Sequence, residues 1–172
     1  MASASKKLLK ELPTKEQMTE IIFDLKSHGD AATAMMGCAY PEHALESLFK
    51  AHFRPLNSED TTRMFDGAAG GILGTFTAKI RLAYALHLLR PVMYQDLLLL
   101  AQIRNAFAHS LHKVTFESAE VMSDCYSLSM IRLSKPEKPA RPTIEIFANV
   151  VLFFYLDIID KIQQATVAPA RT

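Results

Sequence analysis

Arg104-Asn105-Ala-Phe-Ala-His109 gathers the residue types in this chain best suited to chemistry. An imidazole takes or gives a proton near neutral pH, a guanidinium holds phosphate or steadies developing negative charge, and a carboxamide orients either. Together they suit metal-independent cleavage of RNA, in which the ribose 2′-hydroxyl attacks the neighbouring phosphate. Spacing constrains this use. Arg104 and His109 are about 140° apart around an ideal helix, so they do not share a face within one chain. A composite site needs a distorted helix, or the same helix from two subunits side by side. The plainer use is structural: Asn105 and His109 bond the helix end and its following loop, and Arg104 pairs with an acid.

A helix must carry these residues. Leu, Ala and Gln favour one from about Val92 to His109, and Leu97, Leu100, Ile103, Arg104 and Phe107 fall near one face. Asn105 and His109 lie one above the other. Upstream, Pro91 suits a first-turn position, and a helix over Leu73–Leu89 places Phe76, Ile80, Ala83, Tyr84 and His87 on one face. Its Lys79 and Arg81 form, with Arg104, a candidate basic patch; the alternative is a solvated face with ordinary ion pairs.

The remaining pattern is also helical. Thr14 can cap a helix bearing Met18, Ile21, Ile22 and Leu25, ended at Ser27-His28-Gly29. Asp30 can cap the next, which runs to about Phe53 and which Pro41 should kink or split. Ser58 caps a short helix to Phe65, and the glycine-rich stretch from Asp66 to Gly74 is a flexible connection with a candidate backbone anion site at the following helix start. Ser110 to Phe116 is a loop, Ser118 caps a helix to Leu128, 130–133 is ambiguous and 135–142 is a proline-rich linker. Thr143 caps a last helix, apolar nearly all round, to about Gln164. Such a helix is central to the domain or completes its burial against a second subunit, which points to a homodimer. The expected architecture is a single all-α bundle of six or seven helices over 14–164, with flexible tails at 1–13 and 165–172.

Composition bounds the function. Nineteen basic and eighteen acidic residues leave a net charge of +1, which argues against a wide nucleic-acid footprint and direct DNA reading. Cys38 and Cys125 have no metal spacing, and the histidines have no His-Glu-x-x-His pattern, so neither a metal nor another cofactor is expected. The glycine stretch ends in no Gly-Lys-Ser/Thr and follows no strand, which excludes a Walker or Rossmann loop. No signal peptide or membrane span is apparent, and the expected location is the cytoplasm.

Two resemblances extend this reading. Phe65-Asp-Gly, Gly71-Ile-Leu-Gly-Thr-Phe-Thr-Ala-Lys-Ile-Arg-Leu-Ala-Tyr-Ala-Leu-His-Leu-Leu89, Tyr94-x-Asp96-Leu97 and Ile103-Arg-Asn-Ala-Phe-Ala-His109 resemble the mannitol operon repressor family, as does Gly29-Asp-Ala-Ala-Thr-Ala34 with Glu42-x-x-Leu-Glu-x-x-Phe49. The resemblance covers about Gly29 to Leu128. It implies an all-helical, non-enzymatic domain of transcriptional regulation that acts through a protein partner. Separately, Arg104-Asn105-x-x-x-His109 is similar to the Arg-x4-6-His motif of the higher eukaryotes and prokaryotes nucleotide-binding (HEPN) superfamily. That resemblance implies a ribonuclease with Arg104 and His109 catalytic and Asn105 orienting, and RNA as its substrate. A third possibility is a dimeric helical scaffold without a ligand. In the regulatory reading Arg104, Asn105, His109, Lys79 and Arg81 are binding residues.

Overall fold

The computed structural model describes residues 11–129 and 142–167; the expected features at 1–10, 130–141 and 168–172 lie outside them. The described residues form seven α-helices and no strand: α1 Lys15–Leu25, α2 Asp30–His52, α3 Ser58–Phe65, α4 Phe76–Ala85, α5 Pro91–His109, α6 Ala119–Ser127 and α7 Thr143–Val167. A 3-10 turn, Lys26–His28, links α1 to α2. The all-α bundle is the architecture that the sequence periodicity implies.

The largest helix contact is between α2 and α7. Small residues on α2 make it possible: Ala34, Gly37, Cys38 and Ala44 are buried, and a Cβ at Gly37 would stand 3.4 Å from Phe147 of α7. α1 and α6 flank α7, and α4 and α5 pack on α2. The apolar circumference of α7 is therefore largely covered within one chain, with Phe153 at 36% and Val167 at 84% left exposed. The ground for expecting a dimer is met by the chain's own helices.

Helix ends differ from expectation in instructive ways. Pro41 neither splits α2 nor ends it, although it removes one backbone donor; it is itself buried, among Gly37, Cys38 and Ala44. Gly29, at φ 92°, occupies the cap position of α2 in place of Asp30, whose carboxylate instead accepts from the Phe116 backbone N–H at 2.8 Å. Asn57, not Ser58, caps α3 by accepting from Asp60 N–H at 2.8 Å. Thr143 is the first residue of α7 and buried, while the Pro142 carbonyl accepts from Glu145 and Ile146. α7 continues to Val167, beyond the expected end of the domain.

The stretch before α1 is tied down. Thr14 and Gln17 make the reciprocal capping box. Tyr155 of α7 is fully buried and donates to the Pro13 carbonyl at 2.5 Å, and Lys15 pairs with Asp160. Residues 11–13, expected as part of a tail, are therefore anchored. Burial, with Tyr40 beside it, pushes the Tyr155 phenol up to about 12. A folded-state pKa above the unfolded value of about 10 stabilises the fold below that value, and the contribution is lost as pH rises through the folded pKa. Tyr155→Phe should cost about 1 kcal/mol at neutral pH. It should also remove part of the stability loss between pH 10 and 12, measured as urea midpoints across that range.

Candidate functional site

α5 positions the candidate polar group. Pro91 opens it at its first turn, and Met93, Leu97, Leu100, Ala101 and Ile103 bury one face. Its C-terminal end is held by aromatic packing: Phe107 lies 5.0 Å from Phe116, and Phe116 lies 5.1 Å from Phe147 of α7. The Asp30 carboxylate on the Phe116 amide fixes the loop after α5 to the start of α2. Gln102 reaches Asp124 of α6 at 3.0 Å.

On this rigid helix Arg104 is half-buried and Asn105 and His109 are exposed. The Arg104 guanidinium donates from Nη1 to Asn105 Oδ1 at 3.1 Å. Arg104 pairs with no acid among the described residues, and His109 makes no hydrogen bond there. Among the described residues, neither an acid on Arg104 nor a bond from His109 to the helix end or the following loop is present. Backbone groups finish the helix instead: Ser110 N–H donates to Ala106, and Ser110 Oγ accepts from His112 N–H. Arg104 and Asn105 are brought together, whereas His109 has no contact with Arg104. His109→Ala should accordingly leave the melting temperature within about 1 °C, since an exposed side chain without partners contributes little; differential scanning calorimetry reads this directly.

The basic patch does not form as the sequence suggested. Lys79 is buried, and its ammonium lies 3.0 Å from Glu42 and 3.8 Å from Glu46 of α2. A buried ammonium needs such partners, because an unpaired charge out of water is costly. Lys79 therefore joins α4 to α2 and is not a surface binding group. Arg81 is exposed and makes no ion pair among the described residues.

The glycine stretch is not a flexible connector. Asp66 Oδ1 accepts from Ala68 and Ala69 N–H, Gly71 N–H donates to Asp66, Leu73 N–H to Met64, and Gly74 N–H to Gly71. Backbone crosses backbone at Gly67 and Gly74, where a Cβ on Gly74 would stand 2.4 Å from Gly67 Cα. The next helix starts on Thr75, whose hydroxyl accepts from Ala78 N–H, so part of the proposed anion site is already filled.

Other chemistry is limited. Burial raises the Cys38 thiol well above its ordinary range, with the Arg104 charge pulling the other way, and burial pushes Cys125 up to about 12. Neither is a thiolate at neutral pH. Among the described residues no three His, Cys, Asp or Glu side chains cluster to hold a metal, and no helix is long and apolar enough to cross a membrane. An open groove of about 910 Å³ lies elsewhere, lined by Ile21, Met36, Tyr40, His43 and Phe65 among others, and includes none of Arg104, Asn105 or His109.

Sequence reasoning also missed Asp96. This carboxylate is buried on α5 and accepts from Ser129 N–H at 3.0 and 3.1 Å and from Ser129 Oγ at 2.9 Å. A single acid inside an apolar run was the available signal.

No protein-family model and no curated protein sequence matches the chain. Its fold is similar to that in the X-ray structure of the MtlR–HPr complex from Escherichia coli, with a TM-score of 0.57 over 87% of this chain and 98% of that one, at 17% identity.

Proposed function

We propose that this chain is a non-enzymatic regulatory domain that resembles the mannitol operon repressor and acts by protein–protein contact, not by reading DNA. The observation that carries the reading is the fold shared with MtlR, a protein crystallised as a complex with HPr. Two features are consistent with it. The net charge of +1 offers no wide footprint for nucleic acid, and the exposed side chains Arg81 and His109 make no hydrogen bond or ion pair among the described residues. The partner proposed is HPr or a protein with the same surface. Calorimetric titration of the purified chain with Escherichia coli HPr tests this: saturable binding in the micromolar range or tighter is expected, and no heat at 100-fold lower affinity limits overturns it.

A metal-independent ribonuclease is the second reading, favoured by the exposed imidazole of His109 one turn beyond Asn105, which Arg104 contacts. It requires α5 from two chains side by side, because Arg104 and His109 diverge by about 140° on one helix. It therefore stands or falls with a homodimer. Cleavage of a mixed RNA pool in EDTA by the parent and not by His109→Ala would put this reading first. A dimer by light scattering without cleavage or HPr binding would leave the scaffold reading.

A further inference from the structure

We propose that the corner where α4 turns into α5 is the docking surface for the regulatory partner, and that it receives an acidic protein surface with an apolar anchor. This rests on the protein-partner reading above. Arg81 and Tyr84 are neighbours on α4 by their spacing, as are Arg90 and Tyr94 at the start of α5. The rings of Tyr84 and Tyr94 stack at 4.2 Å and 19°, which joins the two pairs into one cluster. Tyr84 is 39% and Leu86 44% exposed, and both arginines are exposed without an ion pair among the described residues. No Asp or Glu occurs between Asp66 and Asp96, while Lys79, the other lysine or arginine of that stretch, is taken up by Glu42 and Glu46. The corner thus sets uncompensated guanidinium groups around exposed aromatic and aliphatic surface. Tyrosine and arginine are the residue types that dominate binding energy at protein interfaces.

His87 supplies an independent observation. α4 ends in a Schellman arrangement, with Leu88 N–H donating to Ala83 and His87 N–H to Tyr84. His87 holds the left-handed position at φ 58°, where glycine is the unstrained residue. An exposed histidine kept in a strained conformation at the tip of this corner points to use of its side chain.

The chemistry of the corner favours one occupant. Single-stranded RNA needs a free ring face for each base, whereas these two rings cover each other's inner faces. A second copy related by a two-fold axis through the corner would set the same arginines against themselves. An acidic partner satisfies both guanidinium groups and should be steered by them, with an association rate that falls with salt.

The test is titration of the full chain and three variants with the partner protein used above, at two salt concentrations. Arg81→Glu/Arg90→Glu should weaken binding roughly tenfold or more and flatten its salt dependence, with the melting temperature unchanged. Lys113→Glu, an exposed charge in the loop beyond the far end of α5, should bind within about twofold of the parent. His87→Gly should raise the melting temperature yet weaken binding, a combination that a merely structural residue would not give. Equal binding by the parent and the arginine double variant overturns the surface and leaves the partner reading intact. No binding by the parent overturns the partner reading, and this surface with it. Binding of a fluorescent single-stranded RNA that the double variant abolishes assigns the corner to nucleic acid and likewise overturns the proposal.

Discussion

Asp96→Ala should lower stability by about 3 kcal/mol, or roughly 6–12 °C in melting temperature for a chain of this size. Asp96 lies inside α5, only 2% exposed, and its carboxylate takes three hydrogen bonds from the backbone and hydroxyl of Ser129. Bonds to a charged acceptor exceed neutral ones, and truncation strands the Ser129 donors besides removing the acceptor. Asp96→Asn keeps one carbonyl acceptor and should lose about half as much. Urea denaturation of both variants gives the comparison. A loss under 1 kcal/mol for Asp96→Ala would mean that the joint between α5 and the chain after α6 does not depend on this carboxylate.

Gly74→Ala should be nearly as severe, at about 3 kcal/mol, although it adds only one methyl group. Its Cβ would lie 2.4 Å from Gly67 Cα and 2.8 Å from Gly67 N, both backbone atoms that cannot rotate away. Gly70 is the internal control. It has a left-handed φ of 73°, but a Cβ there meets nothing within 4 Å. Gly70→Ala therefore carries only the conformational penalty, about 1 kcal/mol. Thermal melts that order the two variants the other way would show that the turn opens to accept the methyl group.

Much of the fold is legible in the sequence because it rests on local periodicity. The buried face of α5 at Leu97, Leu100 and Ile103 follows from spacing alone, and residue type places Thr14 at the cap of α1 and Pro91 at the head of α5. What was not legible depends on packing between segments distant in sequence. Glycine composition cannot separate a loose linker from a turn in which Gly67 and Gly74 touch, because only the second partner reveals the difference. The same holds for Lys79, whose surface or buried state depends on Glu42 and Glu46 of another helix. α4 ends at Ala85, short of the expected Leu89, because His87 takes a left-handed turn that sequence signals reserve for glycine. The Arg104, Asn105 and His109 group was legible as a constellation, but the bond from Arg104 to its own neighbour Asn105, in place of an acid among the described residues, was not. Asp30, which could have turned toward a helix cap, instead holds the Phe116 loop.

α5 thus connects two exposed regions, each with a distinct chemical character. Its C-terminal end carries the exposed His109 imidazole and the Arg104–Asn105 pair, and its N-terminal end joins the tyrosine–arginine corner of α4. The buried face between them, with Asp96 at its centre, keeps both ends on one rigid element. A regulator that works by contact needs such a fixed surface more than it needs a cavity, since preorganised side chains lose less freedom on association.

Native mass spectrometry of the chain mixed with HPr tests the proposed role most directly, because it reads partner and stoichiometry together. The expected result is a complex that contains this 19.2 kDa chain and HPr, retained by Lys113→Glu and lost in Arg81→Glu/Arg90→Glu. Only the free masses at tens of micromolar of each protein would contradict a regulator that acts through contact with HPr, and RNA cleavage by the parent would put the ribonuclease in its place.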